Sequence, residues 1–160
     1  MSQPKVMSDA FGKPLKSAGF KKKKGDTWYL AKDETILVLN LQKSNYGKQY
    51  YVNLAVWLIS LGDAEAPSEH QCHVRLRWGA LIPEEQKRIE RLLNLEDLSI
   101  SDEARIIAIG ELLQKYVLPF FSKVGSLAGL QSLYRTNSLP KSCLVDRKAK
   151  ELLCQRDCQV

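Results

Sequence analysis

Three stretches of this chain alternate apolar and polar side chains with the period of a β-strand, and short connections join them. They cover residues 35–44, 49–61 and 70–78. The middle stretch is the clearest, because its even positions from Tyr50 to Leu58 are all apolar. Successive side chains of a strand point to opposite faces, so each stretch offers one face to a core and one polar or aromatic face. Short connections favour pairing between consecutive strands. The pattern predicts an antiparallel meander.

Two shorter strands and several helices complete the prediction. Residues 20–24 and 27–31 are predicted to form a hairpin around Gly25–Asp26. Helical spacing of apolar residues, with start and stop signals, predicts helices over 6–18, 83–93, 101–116, 126–134 and 143–154. Proline disfavours a helix interior, so Pro14 predicts a kink or two short pieces, and Pro119 is expected to end or bend its helix. The predicted fold class is α+β: an N-terminal helix, an antiparallel meander sheet of four to five strands, and C-terminal helices packed on the sheet.

Length and hydropathy limit the domain organisation and the cellular location. With 160 residues the chain is long enough to bury a core without metal or disulfide bonds. We expect one α+β domain over residues 1–140 and a helical or flexible tail over 141–160. The longest apolar run, Leu54 to Ile59, is far shorter than the ~18 residues of a membrane span. The first twenty residues lack the apolar stretch of a signal peptide. These features predict a cytoplasmic protein that does not associate with membranes.

The cysteines and histidines provide the only metal-ligand cluster in the sequence. The four cysteines are Cys72, Cys143, Cys154 and Cys158. His70, Cys72 and His73 place three potential zinc ligands within four residues, and cytoplasmic thiols stay reduced. However, the chain has no Cys-x2-Cys motif, and strand alternation would point Cys72 and His73 to opposite faces. We therefore predict no metal site and no cofactor.

The net charge of +6 is unevenly distributed along the chain. Residues 1–50 carry ten basic and four acidic side chains, and the excess is concentrated in Lys13, Lys16 and the run Lys21–Lys24. Such a run either contacts phosphates or keeps the solvated end of a strand from pairing with another molecule. The run lacks interleaved arginine or aromatic residues that stack on bases. The strand-end interpretation is favoured, and nucleic acid is not the favoured partner.

The polar faces of the predicted strands supply a candidate binding site. If the registers align, two arginines share one surface with amide and hydroxyl groups, an arrangement that holds a carboxylate or phosphate in bidentate fashion. The candidate ligand-binding residues are Gln42, Ser44, Asn53, Arg75 and Arg77. The alternative is an ordinary outward sheet face in which the arginines pair with local acids such as Glu65 or Glu69.

The sequence contains no catalytic motif. A nucleophile needs a base oriented by a third group, yet both histidines of the chain are sequence neighbours of Cys72. Phosphate-binding G-x-x-x-x-G-K-[ST], His-Glu-x-x-His and Gly-x-Ser-x-Gly patterns do not occur. We predict no catalytic residue. The third hypothesis is an enzyme. Its active site would have to combine Glu69 and His73 with the arginines Arg75 and Arg77.

Five blocks of sequence carry a resemblance to a known family. They are Leu15–Lys23, Thr27–Tyr29, Asn40–Ser44, Tyr51–Leu54, and Cys72–Gly79 with Glu69 before it. In these blocks the chain resembles the bacterial domain-of-unknown-function family 4304, which implies a small cytosolic α+β domain over about residues 5–135. The resemblance implies no reaction.

Together these features predict a non-catalytic binding or interaction module of accessory or immunity type, which uses the polar sheet face. Its expected partner is a protein or a small anionic ligand. The alternative is binding of nucleic acid or an anionic ligand through Lys21–Lys24, Arg75 and Arg77.

Overall fold

The computed structural model describes residues 3–155 of the chain. The strands are β1 (Lys21–Lys23), β2 (Thr27–Ala31), β3 (Thr35–Lys43), β4 (Tyr50–Leu58), β5 (Val74–Arg77) and β6 (Leu144–Val145). The α-helices are α1 (Gln3–Ser17), α2 (Trp78–Leu81), α3 (Gln86–Leu92), α4 (Asp102–Leu112), α5 (Leu118–Val124), α6 (Leu127–Arg135) and α7 (Arg147–Cys154). No helix among these residues is long and apolar enough to cross a bilayer.

The six strands form one sheet in chain order, and each is antiparallel to its neighbour. This confirms the predicted α+β class and the meander. The sheet has one strand more than expected, because Val145 pairs with Val74 at the outer edge of β5. The predicted helix over 143–154 is therefore too long at its start. It begins at Arg147, where the side chain of Asp146 caps it by accepting the Ala149 N–H at 2.8 Å.

The helices cover one face of the sheet and build the main core. On α1, Met7, Phe11 and Leu15 are fully buried against the inward side chains of the strands. Pro14 does not divide this helix, since it lies in the last turn and the helix runs unbroken to Ser17. Beyond it, Gly19 has a φ of 97° and the Phe20 N–H donates to the Leu15 carbonyl at 2.9 Å. These two features are those of a glycine-terminated Schellman cap.

Pro119 does not end the long helix that follows the sheet. The chain passes from α4 into a π-helical turn, Leu113–Val117, and then directly into α5. Proline has no N–H to donate to the carbonyl four residues earlier, and a wider turn accommodates that missing bond. The helical path therefore extends to Val124 rather than stopping near residue 116.

The connection between β4 and β5 covers half of the other sheet face. A second apolar cluster lies there, in which Cys72 from the connection packs with Tyr29, Val38 and Ala55. Residues Glu69–Gln71 form a 3₁₀ turn closed by a capping box that starts at Ser68. Because of this turn β5 begins only at Val74, so the observed strand is shorter than the one predicted over residues 70–78. The remaining half of this face, on which Gln42, Tyr51 and Arg77 are exposed, is the open half.

Candidate functional site

The sheet register brings three of the predicted site residues together on the open half of the face. Asn40 lies opposite Asn53 across β3 and β4, and Asn53 lies opposite Arg77 across β4 and β5. Gln42 lies opposite Tyr51 in the next row on the same face. Gln42, Asn53 and Arg77 are therefore neighbours, as the alternation of the strands indicated.

The amide side chains of this face are hydrogen-bonded to one another. Asn53 is 6% exposed, and its Nδ2 donates to Asn40 Oδ1 and to Gln42 Oε1, both at 3.1 Å. Asn40 Nδ2 in turn donates to Thr27 Oγ1 at 3.0 Å. A buried amide with its donors satisfied is a rigid part of the sheet. These amide groups therefore support the surface, and Arg77 is the charged group beside them.

Arg75 and Ser44 do not join this cluster. Arg75 Nε donates to Glu69 Oε1 at 3.0 Å, and Glu69 belongs to the connection that covers the other half of the face. This pair is the local ion pair that the sequence raised as the alternative. Ser44 lies beyond the end of β3, where its Oγ accepts the Tyr46 N–H at 3.1 Å. Its hydroxyl stabilises the turn between β3 and β4.

Arg77 has an uncommitted guanidinium. Its side chain is exposed and makes no salt bridge with any residue in the described range. The guanidinium carbon lies 4.4 Å from the centroid of the Tyr51 ring, a cation–π arrangement. Stacking on a ring restrains the guanidinium while its in-plane N–H groups stay free to bind an anion.

A pocket of about 750 Å³ opens beside Arg77. The ends of β4 and β5, helices α2 and α3, and the segment 140–142 form its walls. Its apolar lining consists of Val52, Trp78, Ala80, Pro83, Ile89, Leu93 and Pro140. Its charged lining groups are Arg77, Lys141 and Glu90. A mainly apolar cavity with a few charged groups is the usual form of a small-molecule site.

Trp78 lines this pocket and has a buried, unpaired hydrogen-bond donor. The residue is 1% exposed, its ring packs edge-on against Phe11 at a centroid distance of 5.9 Å, and it lines the pocket. Its Nε1 has no partner among the described residues. Buried indole N–H groups normally find an acceptor.

The pocket wall that contains Leu93 is fixed by backbone and side-chain bonds. The Tyr50 N–H donates to the Leu93 carbonyl at 2.8 Å. Behind it, the guanidinium of Arg105 is 2% exposed and donates to four carbonyls, those of Arg91, Leu92, Asn94 and Asp97. Sequence reasoning missed Arg105. The available signal was its spacing to Ile109 and Leu112, which places it on the buried face of α4.

Two members of the histidine and cysteine cluster, Cys72 and His73, are buried, whereas His70 is exposed. His73 is buried, its ring centroid lies 4.4 Å from that of Trp57, and its Nδ1 accepts the Leu58 N–H at 2.9 Å. Burial lowers the pKa of His73, although Asp146 opposes the shift. Burial also raises the pKa of the Cys72 thiol to about 12.

Of the groups that the enzyme hypothesis would combine, Glu69 pairs with Arg75, and His73 accepts a hydrogen bond from the backbone of β4. Residues 3–155 contain no group of three or more histidine, cysteine or acidic side chains that could hold a metal. Cys158 lies outside the described residues.

The four lysines of the run Lys21–Lys24 differ in their contacts. Lys22 Nζ binds Ser8 Oγ at 3.1 Å and Asp26 Oδ1 at 3.3 Å. Lys24 Nζ donates to the Ala66 carbonyl at 3.1 Å, which links the β1–β2 turn to the covering connection. Lys21 and Lys23 are exposed on the edge strand. The run is therefore partly structural and partly free.

The comparisons with known proteins give a family and no activity. No curated protein and no solved structure matches the chain significantly. A family model described as "Domain of unknown function (DUF4304)" matches residues 11–123, well over half of the chain. The matched segment includes Arg77, Trp78 and α3, whereas the pocket wall at 140–142 lies outside it. The match confirms the family resemblance seen in the sequence, and the chain belongs to the DUF4304 family.

Proposed function

We propose that this protein is a non-catalytic binding module whose site is Arg77 together with the adjoining pocket. Its ligand has one anionic group and an apolar body. The anionic group pairs with the guanidinium, the apolar body fills the space between β4 and α3, and an acceptor atom reaches the Trp78 N–H. The proposal narrows the predicted site, since Arg75 is already paired with Glu69.

The observation that carries the proposal is an unpaired arginine at an apolar pocket. A carboxylate binds a guanidinium through two parallel N–H···O bonds, and a stacked arginine loses little freedom on binding. Lys141 adds a second positive charge to the lining, while Glu90 contributes a negative one. A ligand with a single anionic group fits this balance better than one with several.

Two sources supply this chemistry. One is a protein C-terminus that ends in an apolar residue, which would suit an accessory or immunity-type role with a protein partner. The other is a free carboxylic acid of small size. Both present a carboxylate next to an apolar group, so the experiment has to separate them.

The test is isothermal titration of the full chain with defined probes. Three probes carry a carboxylate: N-acetyl-leucine, octanoate, and a short peptide that ends in leucine. A fourth probe, N-acetyl-leucine amide, lacks the carboxylate. The variant Arg77→Gln removes the guanidinium and keeps a polar side chain. The matched control is Arg75→Gln. It changes the same residue type on the same strand, two residues before Arg77 and outside the pocket lining.

We expect the acids to bind and the amide to bind at least ~10-fold more weakly, because a charge-assisted hydrogen bond is worth about 1.5–3 kcal/mol. Arg77→Gln should weaken the acids by about 10–100-fold, whereas Arg75→Gln should leave their affinity nearly unchanged. Tighter binding of the peptide than of octanoate identifies a protein C-terminus as the ligand, and the reverse order identifies a free acid. If no acid binds at millimolar concentration, or if the two variants behave alike, the proposal is wrong.

A further inference from the structure

A second concave surface lies between α1 and β1, and β1 is the edge strand at the other end of the sheet from β5 and β6. This groove has a volume of about 680 Å³. Phe20 and Trp28 lie at its base and are 3% and 2% exposed. Four of its lining residues are lysines, namely Lys13, Lys16, Lys21 and Lys22, and the lining contains one acid, Asp9.

Three of these lysines are free of ion pairs. Lys22 is held by Asp26 and Ser8, and its Nζ lies 5.4 Å from the Trp28 ring centroid. Lys13, Lys16 and Lys21 are exposed and form no salt bridge with any residue between 3 and 155. The groove therefore presents an excess of positive charge that the described part of the chain does not neutralise.

Gly12 leaves the helix backbone bare where it borders the groove. Glycine is less favourable than alanine inside a helix. A Cβ atom at Gly12 would meet nothing within 4 Å, so packing within the described structure does not require glycine there. A glycine without a packing role is suited to the close approach of another chain.

The groove also adjoins a free sheet edge. β1 is the first strand of the sheet and pairs only with β2 in the described structure. Its three residues, Lys21–Lys23, are all exposed. Lysines on an edge strand repel a second copy of the same edge, but they attract an extended chain that carries negative charge.

From these four observations we infer that the α1–β1 groove binds an acidic, extended segment of a partner protein. Carboxylates of the segment pair with Lys13, Lys16 and Lys21, while its backbone runs along α1 at Gly12 and the edge of β1. Nucleic acid fits less well, since the aromatic residues of the groove are buried and offer no face for base stacking. The groove shares no lining residue with the Arg77 pocket, so this inference does not depend on the proposed function.

The test measures fluorescence anisotropy of a labelled short peptide in which glutamate and valine alternate. The same peptide with glutamine in place of glutamate is the charge control, and a single-stranded oligonucleotide of equal charge tests for nucleic acid. The groove variant is Lys13→Gln/Lys16→Gln/Lys21→Gln. The control variant, Lys43→Gln/Lys87→Gln/Lys148→Gln, removes three exposed lysines outside the groove lining. A further variant, Gly12→Leu, occupies the groove without changing the charge.

We expect the acidic peptide to bind at low ionic strength and the glutamine peptide not to bind. The groove variant should lose about tenfold in affinity, as three exposed ion pairs of modest strength would give, and the control variant should lose much less. Gly12→Leu should weaken binding by a similar factor, which a purely electrostatic attraction would not explain. The inference would be overturned if the acidic peptide did not bind, or if the oligonucleotide bound more tightly than the peptide. It would also be overturned if both lysine variants lost the same affinity, or if Gly12→Leu bound the peptide as the wild type does.

Discussion

Replacing Arg105 by methionine should destabilise this protein more than most single substitutions. The guanidinium lies in the interior and donates to four carbonyls at the end of α3 and in the segment after it. The carbonyls of Arg91 and Asn94 also accept backbone N–H groups from Asn94 and Asp97, both at 3.2 Å. For the carbonyls of Leu92 and Asp97, the Arg105 guanidinium is the only donor among the described residues, apart from any bond within a helix. Methionine fills similar space but leaves these two acceptors without a donor.

The expected loss follows from these two acceptors. An unsatisfied buried polar group costs about 1–3 kcal/mol, so two such acceptors together cost about 2–6 kcal/mol. We therefore expect the free energy of unfolding of Arg105→Met to fall by about 4 kcal/mol. In a chain of 160 residues this corresponds to a decrease in Tm of about 8–16 °C.

The assay is equilibrium urea unfolding, followed by tryptophan fluorescence, for the wild type, Arg105→Met and Arg105→Lys. The lysine variant keeps the charge but has one nitrogen, so it can reach one group of carbonyls and should lose about half as much. A loss of unfolding free energy below about 1 kcal/mol in Arg105→Met would contradict this expectation. It would mean that the cost of burying the guanidinium cancels the benefit of its hydrogen bonds.

Three further predictions concern His73, Cys72 and Gly129. Burial gives folded His73 a lower pKa than the ordinary 6.5, so the unfolded state binds more protons and the protein should lose stability as the pH falls below about 6.5. Urea midpoints measured between pH 7.5 and 5 test this, and the pH dependence should be weaker in His73→Asn. Because burial raises the pKa of its thiol to about 12, Cys72 should react with iodoacetamide at pH 8 far more slowly than the exposed Cys154. Peptide mass spectrometry measures both rates, and equal labelling would contradict the structure. A Cβ atom at Gly129 would lie 2.0 Å from the Lys123 carbonyl oxygen, so Gly129→Ala should cost about 1–3 kcal/mol in urea unfolding, whereas unchanged stability would contradict this packing.

Local periodicity explains which parts of the fold could be predicted from sequence. The alternation along 35–44 and 49–61 depends only on neighbouring side chains, and it placed Asn53 on the polar face. The sixth strand could not be found in this way. Leu144–Val145 is two residues long, and it becomes a strand only because the outer edge of β5 is available to it.

The candidate site was harder to predict, because its parts come from distant segments. Arg75 and Arg77 have the same parity and look equivalent in sequence. They differ because the connection before β5 brings Glu69 to Arg75, whereas Arg77 lies beside Tyr51. The pocket additionally requires α3 and the segment 140–142, which no local pattern associates with β5.

The most direct test of the proposed site observes the indole N–H signals of the tryptophans by NMR while N-acetyl-leucine is added. Trp57 Nε1 already donates to the Gly62 carbonyl at 3.0 Å, whereas Trp78 Nε1 lacks a partner in the described structure. With the signals assigned by Trp78→Phe and Trp57→Phe, we expect the Trp78 resonance to shift with saturation and the Trp57 resonance to stay in place. We also expect Arg77→Gln to abolish the shift. A Trp78 signal that stays in place at saturating acid, or that shifts equally in Arg77→Gln, would contradict the assignment of this pocket as the binding site.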